Sequence, residues 1–194
     1  MSLVLDVSSE LSTHEPKKSL IVLVGLMGSG KTTVGRELAK KLNLQFSDSD
    51  ELIEKSAKLS VREIFVEKGE PEFRRLESEA LVVACANTES TVMAVAGGAV
   101  VSDSNRALLL SHARCIVWLD APTSTLVGRT GRAKHRPLLD GDPVGALNQM
   151  RTNRESFYQQ IATHKISTQL LTVVQVVDKI VEQCGLTKSL GMSK

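Results

Sequence analysis

Gly25-Leu-Met-Gly28-Ser29-Gly30-Lys31-Thr32-Thr33 is the stretch whose residue types and spacing speak most directly of chemistry. It fits the phosphate-binding pattern G-x-x-x-x-G-K-[ST]. Glycines let backbone N–H groups converge on phosphate oxygens, and the positive end of a following helix favours the same charge. Lys31 is placed to reach the β- and γ-phosphates, and the Thr32 hydroxyl to ligate Mg²⁺. A nucleoside triphosphate is the expected ligand, so the question passes to what receives the phosphate.

Asp48-Ser-Asp50 follows at the end of a short apolar stretch. One carboxylate near Thr32 suffices for a hard cation that keeps most of its waters, and Asp48 can supply it. Asp50 can orient an acceptor hydroxyl or take its proton. The same pair also fits a helix N-cap and a surface acid, with Asp50 before Glu51-Leu-Ile as the cap. Arg74 and Glu77, three apart, share one helix face, so the carboxylate can hold the guanidinium in a fixed direction. A held guanidinium suits a substrate carboxylate through two parallel hydrogen bonds; the alternative is an exposed ion pair of little worth. Gly97-Gly98 permits close backbone approach to a ligand, or makes a plain turn. Arg129, Arg132, Lys134, His135 and Arg136 cluster before Pro137-Leu-Leu, as in a basic lid over transferring phosphate or a solvated loop. Arg154, ahead of Phe157-Tyr158, is a further anion contact or surface.

Elements able to position these residues alternate along the chain. Leu20-Ile-Val-Leu-Val24 reads as a buried parallel strand, and Val34, Leu38 and Leu42 repeat on one helical face after the glycine loop. Residues 51–86 are helical in character, with a break at Gly69-Glu-Pro71. Thr91–Val95 and Cys115–Leu119 read as strands, residues 105–111 and 143–163 as helices, Lys165–Thr168 as a short fifth strand and Val173–Cys184 as a closing helix. This alternation predicts an α/β domain of three layers with a mainly parallel sheet, whose ligands sit beyond the carboxyl ends of the strands. The P-loop, Asp48/Asp50 and Gly97-Gly98 all fall at such ends.

Composition narrows the setting. A chain of 194 residues suits one domain, and a net charge of +2 with one Trp, one Tyr and four Phe argues against nucleic-acid binding. Cys85, Cys115 and Cys184 are odd in number and far apart, so each is expected to be a small hydrophobe rather than part of a disulfide or zinc site. No apolar run approaches the ~18 residues of a membrane span, and residues 1–18 lack the features of a leader. The expectation is a cytoplasmic protein with no membrane partner, a flexible extension over 1–18, one domain over 19–186 and a polar tail over 187–194.

The ordered set of motifs resembles the shikimate kinase family, P-loop kinases of the nucleoside-monophosphate-kinase type. The resemblance runs from about Leu20 to Cys184 and rests on the P-loop through Gly35, Phe46-Ser-Asp-Ser-Asp50, Glu63-Ile-Phe65, Gly69-Glu70, Phe73-Arg74-Arg-Leu-Glu77, Ala96-Gly-Gly-Ala-Val100, Arg136-Pro-Leu-Leu139 and Arg154-Glu-Ser-Phe-Tyr158. It implies a three-layer α/β/α P-loop kinase fold with a central five-stranded parallel sheet, a helical substrate-binding region near 50–86 and a mobile lid near 131–142. It implies ATP and Mg²⁺ as cofactors, shikimate as small-molecule substrate, γ-phosphoryl transfer to its 3-hydroxyl and a monomer. By the same carry-over, Lys31 and residues Gly28, Ser29, Gly30, Thr32 and Thr33 bind phosphates, and Thr32 and Asp48 hold Mg²⁺. Asp50 holds substrate hydroxyls and is the candidate base, Arg74 and Arg154 take the carboxylate, and Gly97 and Gly98 contact substrate through backbone. Arg136 is the catalytic lid arginine, and Arg129 lies beside the adenine.

The family usually carries three glycines where this chain has Ala96-Gly97-Gly98. Alanine fits there only if its φ stays negative. Two alternatives remain beside the resemblance: a kinase for another hydroxylated acid such as gluconate, and a non-catalytic nucleotide-binding relative.

Overall fold

The structure, a computed structural model, describes residues 19–130 and 141–186. Its centre is a five-stranded parallel sheet of order β2-β3-β1-β4-β5, made by β1 (Leu20–Val24), β2 (Gln45–Asp48), β3 (Thr91–Ala94), β4 (Ala113–Asp120) and β5 (His164–Ser167). The expected P-loop kinase architecture is thus present. β1 lies in the middle, and all five of its residues are buried. Its alternate side chains serve opposite faces, because successive residues of a strand point to opposite sides. Leu20, Val22 and Val24 pack with residues of α4 (Gly69–Ala86), α5 (Asp103–His112), α6 (Thr123–Thr130) and α7 (Pro143–Ile161). Ile21 and Leu23 pack with α1 (Lys31–Leu42) and α8 (Val173–Gln183). Helices on both faces explain why β1 is wholly apolar, each such buried aliphatic contributing about 1.5–3 kcal/mol.

A third, smaller core joins Ile53 of α2 (Ser49–Ala57), Ile64 of α3 (Val61–Glu67) and Phe73 of α4. These three helices occupy the stretch expected to be helical over 51–86, and α3 gives way to α4 at Lys68–Gly69, the start of the expected break, where Gly69 has φ of 80°. A second break, not expected, falls at Lys58, with φ of 55°, before Ser60, which forms a capping box with Glu63. Gly69 and Pro71 stand in the first turn of α4, where proline's missing N–H is not needed by the helix.

Cys115 is buried and Cys184 half-buried, and their thiols hydrogen-bond to each other. Distance along the chain hid that pairing. Among the described residues no helix is long and apolar enough to cross a membrane. Arg132, Lys134, His135 and Arg136, with most of the expected lid, lie outside the described residues, as do the expected extension and tail.

Candidate active site

The loop between β1 and α1 is built to place backbone at the head of a helix. Gly25, Gly28 and Gly30 all have positive φ, at 141°, 82° and 98°. A Cβ on Gly25 would also collide with the Leu119 carbonyl of β4. Only glycine satisfies both demands. The Lys31 ammonium donates to the carbonyl oxygens of Gly25 at 2.8 Å and Leu26 at 3.2 Å, which aims it across the loop. Thr32, next on α1, donates its hydroxyl to Asp48 Oδ2 at 2.7 Å. Two hard oxygens on different elements thus stand together at the carboxyl end of β2.

Asp48 has a second duty. Its Oδ1 accepts from the Asp50 backbone N–H at 3.1 Å, which makes Asp48 the N-cap of α2. The expectation that Asp50 is the cap is therefore corrected. The helix starts at Ser49, one residue before Asp50, and this leaves the Asp50 carboxylate in the first turn beside the cavity.

Arg74 and Glu77 meet as their spacing requires, Nη1 to Oε2 at 2.9 Å, and Glu70 binds the other edge of the guanidinium at 2.8 Å. Glu77 is 1% exposed, and its Oε1 has no hydrogen-bond partner among the described residues. Burial drives its carboxyl up to about 7, Arg74 pulls against that, nearby Asp50 adds to the rise and Arg154 opposes it. Such a displaced carboxyl in a cleft is a mark of a functional site.

Gly98 lies directly under Arg74: a Cβ there would collide with the guanidinium. A Cβ on Gly97 would stand 2.9 Å from the Gly25 carbonyl oxygen and 3.2 Å from the Tyr158 hydroxyl. Gly98 has φ of −89°, so space rather than conformation is what demands glycine there. Ala96 is absent from the residues with positive φ and its amide donates to Ser49 Oγ at 2.8 Å, so its extra Cβ is accommodated.

Asp48, Asp50, Arg74, Gly97, Gly98 and Arg154 all line one cavity, together with Lys31 and Thr32. Gly28, Ser29, Gly30, Thr33 and Arg129 line an adjoining one, which Lys31 and Thr32 also border. The two cavities meet at the start of α1. Arg129 is anchored by Nη2 to the Thr168 carbonyl at 2.7 Å and by Nη1 to the Thr168 hydroxyl at 3.0 Å. Arg136 is outside the described residues.

Two contributors escaped the sequence. Tyr158 is 1% exposed and donates its hydroxyl to the Gly97 carbonyl at 2.7 Å, pinning the glycine turn. Its position four residues after Arg154 put it on the same helical face, which was the available signal. Thr168, after β5, is visible as a partner only once β4, β5 and the P-loop are assembled.

A family model described as shikimate kinase matches residues 27–185. The chain belongs to the shikimate kinase family. A shikimate kinase of Symbiobacterium thermophilum is 45% identical over 166 residues, which cover 84% of this chain and 94% of that one. One of Corynebacterium glutamicum is 40% identical over 81% of this chain and 92% of its own. A solved shikimate kinase of Acinetobacter baumannii, in complex with shikimate, superposes with a TM-score of 0.83 at 35% identity, over 90% of this chain and 96% of that one. A gluconokinase of Sinorhizobium meliloti, at 18% identity and a TM-score of 0.59, shares the fold alone. Membership in the shikimate kinase family makes this chain an ATP-dependent phosphotransferase.

Proposed function

We propose that the chain transfers the γ-phosphoryl group of ATP to the 3-hydroxyl of shikimate, giving shikimate 3-phosphate and ADP. The observation that carries this is the gathering of Arg74, Arg154 and Asp50 in one cavity that abuts Lys31 and Thr32 of the P-loop. Two guanidiniums answer a carboxylate, and the carboxylate of Asp50 answers a hydroxyl. Shikimate offers both groups on one small ring.

The donor set fits ATP and Mg²⁺. Amides of the loop from Gly28 to Thr33 and the Lys31 ammonium would hold the phosphates, and the Thr32 hydroxyl and Asp48 would hold the metal, which characteristically takes one or two protein oxygens. Mg²⁺ when bound supplies charge neutralisation between the outer phosphates. Arg129 would border the adenine, and the expected role of Arg136 is a cation brought over the phosphates. On the acceptor side, Arg74 and Arg154 fix the carboxylate, and Gly97 and Gly98 present backbone to the ring. That leaves Asp50 to orient the reacting hydroxyl and accept its proton. Most of the rate then comes from placing two reactants in line, since phosphoryl transfer asks little covalent chemistry of the protein. The working state carried with this proposal is a cytoplasmic monomer.

A coupled assay of ADP release by purified protein with ATP and Mg²⁺, run with shikimate and with gluconate, tests the proposal. Turnover with shikimate and none with gluconate is expected. Turnover of gluconate alone overturns the acceptor assignment, and ATP binding without any turnover overturns the catalytic one.

A further inference from the structure

Beyond Gly97-Gly98, three consecutive carbonyls accept hydrogen bonds from two consecutive residues of α5. Asn105 Nδ2 donates to Ala99 O at 3.1 Å. Arg106 Nη1 donates to Val100 O at 2.7 Å and to Val101 O at 3.0 Å. Arg106 is 8% exposed, while its carboxylate partner Asp103, 2.6 Å away, stands in solvent. A guanidinium withdrawn from water is costly unless its donors are well engaged, yet this one points mainly at peptide oxygens and its Nε has no partner among the described residues. Its carbon lies 4.3 Å from the centre of the Phe157 ring. Phe157 belongs to α7, the helix that carries Arg154 and Tyr158, and Tyr158 holds the other end of the turn at Gly97 O.

We propose that Arg106, which does not line the cavity, is a positioning residue for the acceptor: it fixes the Gly97-Gly98 backbone through the Val100 and Val101 carbonyls and, through Phe157, the helix face bearing Arg154. One buried cation thereby ties together two walls of the carboxylate site. Neither job suits lysine. A planar fork reaches two adjacent carbonyls and lies flat on a ring, whereas an ammonium is a compact point charge. The inference rests on the proposed acceptor side of the site.

The test is steady-state kinetics of the wild type, Arg106→Lys and Asp103→Asn, with shikimate and ATP varied in turn. In Arg106→Lys the shikimate KM is expected to rise about ten-fold, the scale of a hydrogen bond to a charged group, with the ATP KM changed by less than about two-fold. Asp103→Asn leaves the carbonyl contacts in place, and both constants should stay near wild type. An Arg106→Lys enzyme in which both KM values move together, or neither moves, overturns the proposal. If that variant does not fold, Phe157→Leu decides: a selective rise in shikimate KM supports the role and an unchanged one overturns it. Wild-type turnover in the same assay separates the two failures. No turnover of shikimate by the wild type overturns the acceptor assignment, whereas normal turnover with an unselective variant overturns the role of Arg106 alone.

Discussion

The Arg74 guanidinium rests on the α-carbon of Gly98, so closely that the smallest side chain there would displace it. The guanidinium and the turn are thus one unit, contributed by α4 and by the segment after β3. Gly98→Ala should raise the acceptor KM by about ten-fold or more, since overpacking forces shifts costing roughly 1–3 kcal/mol, with ATP affinity unchanged. The direction of the effect is read from KM values of both substrates; equal shifts in the two would show that the turn is not specific to the acceptor side.

Arg74→Ala removes the proposed carboxylate clamp outright. Loss of one partner of a desolvated charge pair costs roughly 2–5 kcal/mol, so acceptor affinity should fall by tens- to thousands-fold. Titration of acceptor binding at saturating nucleotide checks it, and a shikimate KM that hardly moves would remove Arg74 from the carboxylate site.

Asp50→Asn keeps size and loses the carboxylate proposed as the base. With Asp48 still capping α2, the helix should stand, and kcat should fall by about 10²–10⁴ while nucleotide binding persists. A near-normal kcat would exclude Asp50 from proton transfer.

Glu77 sets a pH dependence of stability. Its carboxyl is raised from 4.5 to about 7 by burial, so the folded state holds the proton more tightly than the unfolded one. The resulting stabilisation is present below 4.5 and is lost as pH rises through 7. Glu77→Gln should abolish that loss, so that between pH 5 and 8 the variant gains on the wild type by on the order of 2–3 kcal/mol. Denaturant midpoints of both proteins at the two pH values measure it; a constant difference would mean that Glu77 does not titrate in this window.

What the sequence disclosed was what depends on short spacing. The P-loop, the Thr32 and Asp48 pair at the head of α1 and end of β2, and the Arg74–Glu77 contact follow from motif and helical period. Asp48 against Asp50 as cap turned on a single residue of helix start, finer than periodicity resolves. Gly97 and Gly98 could be marked as needing room but not for what, because Arg74 reaches Gly98 from α4 and Tyr158 reaches Gly97 from α7. Tyr158 on Gly97 and Arg129 on Thr168 join residues far apart in the chain, and local pattern does not show which residues such side chains meet. The Cys115–Cys184 contact was hidden in the same way.

The separate packing of Ile53, Ile64 and Phe73 has its own consequence. The walls beside Asp50 and Arg74 stand on a miniature interior of their own, joined to the sheet's cores through α4, so the side chains packed there can be remoulded with the least disturbance to the nucleotide platform. A fold arranged in this way lets selection, or an engineer, exchange one hydroxylated acid for another while the phosphate-handling half stays untouched.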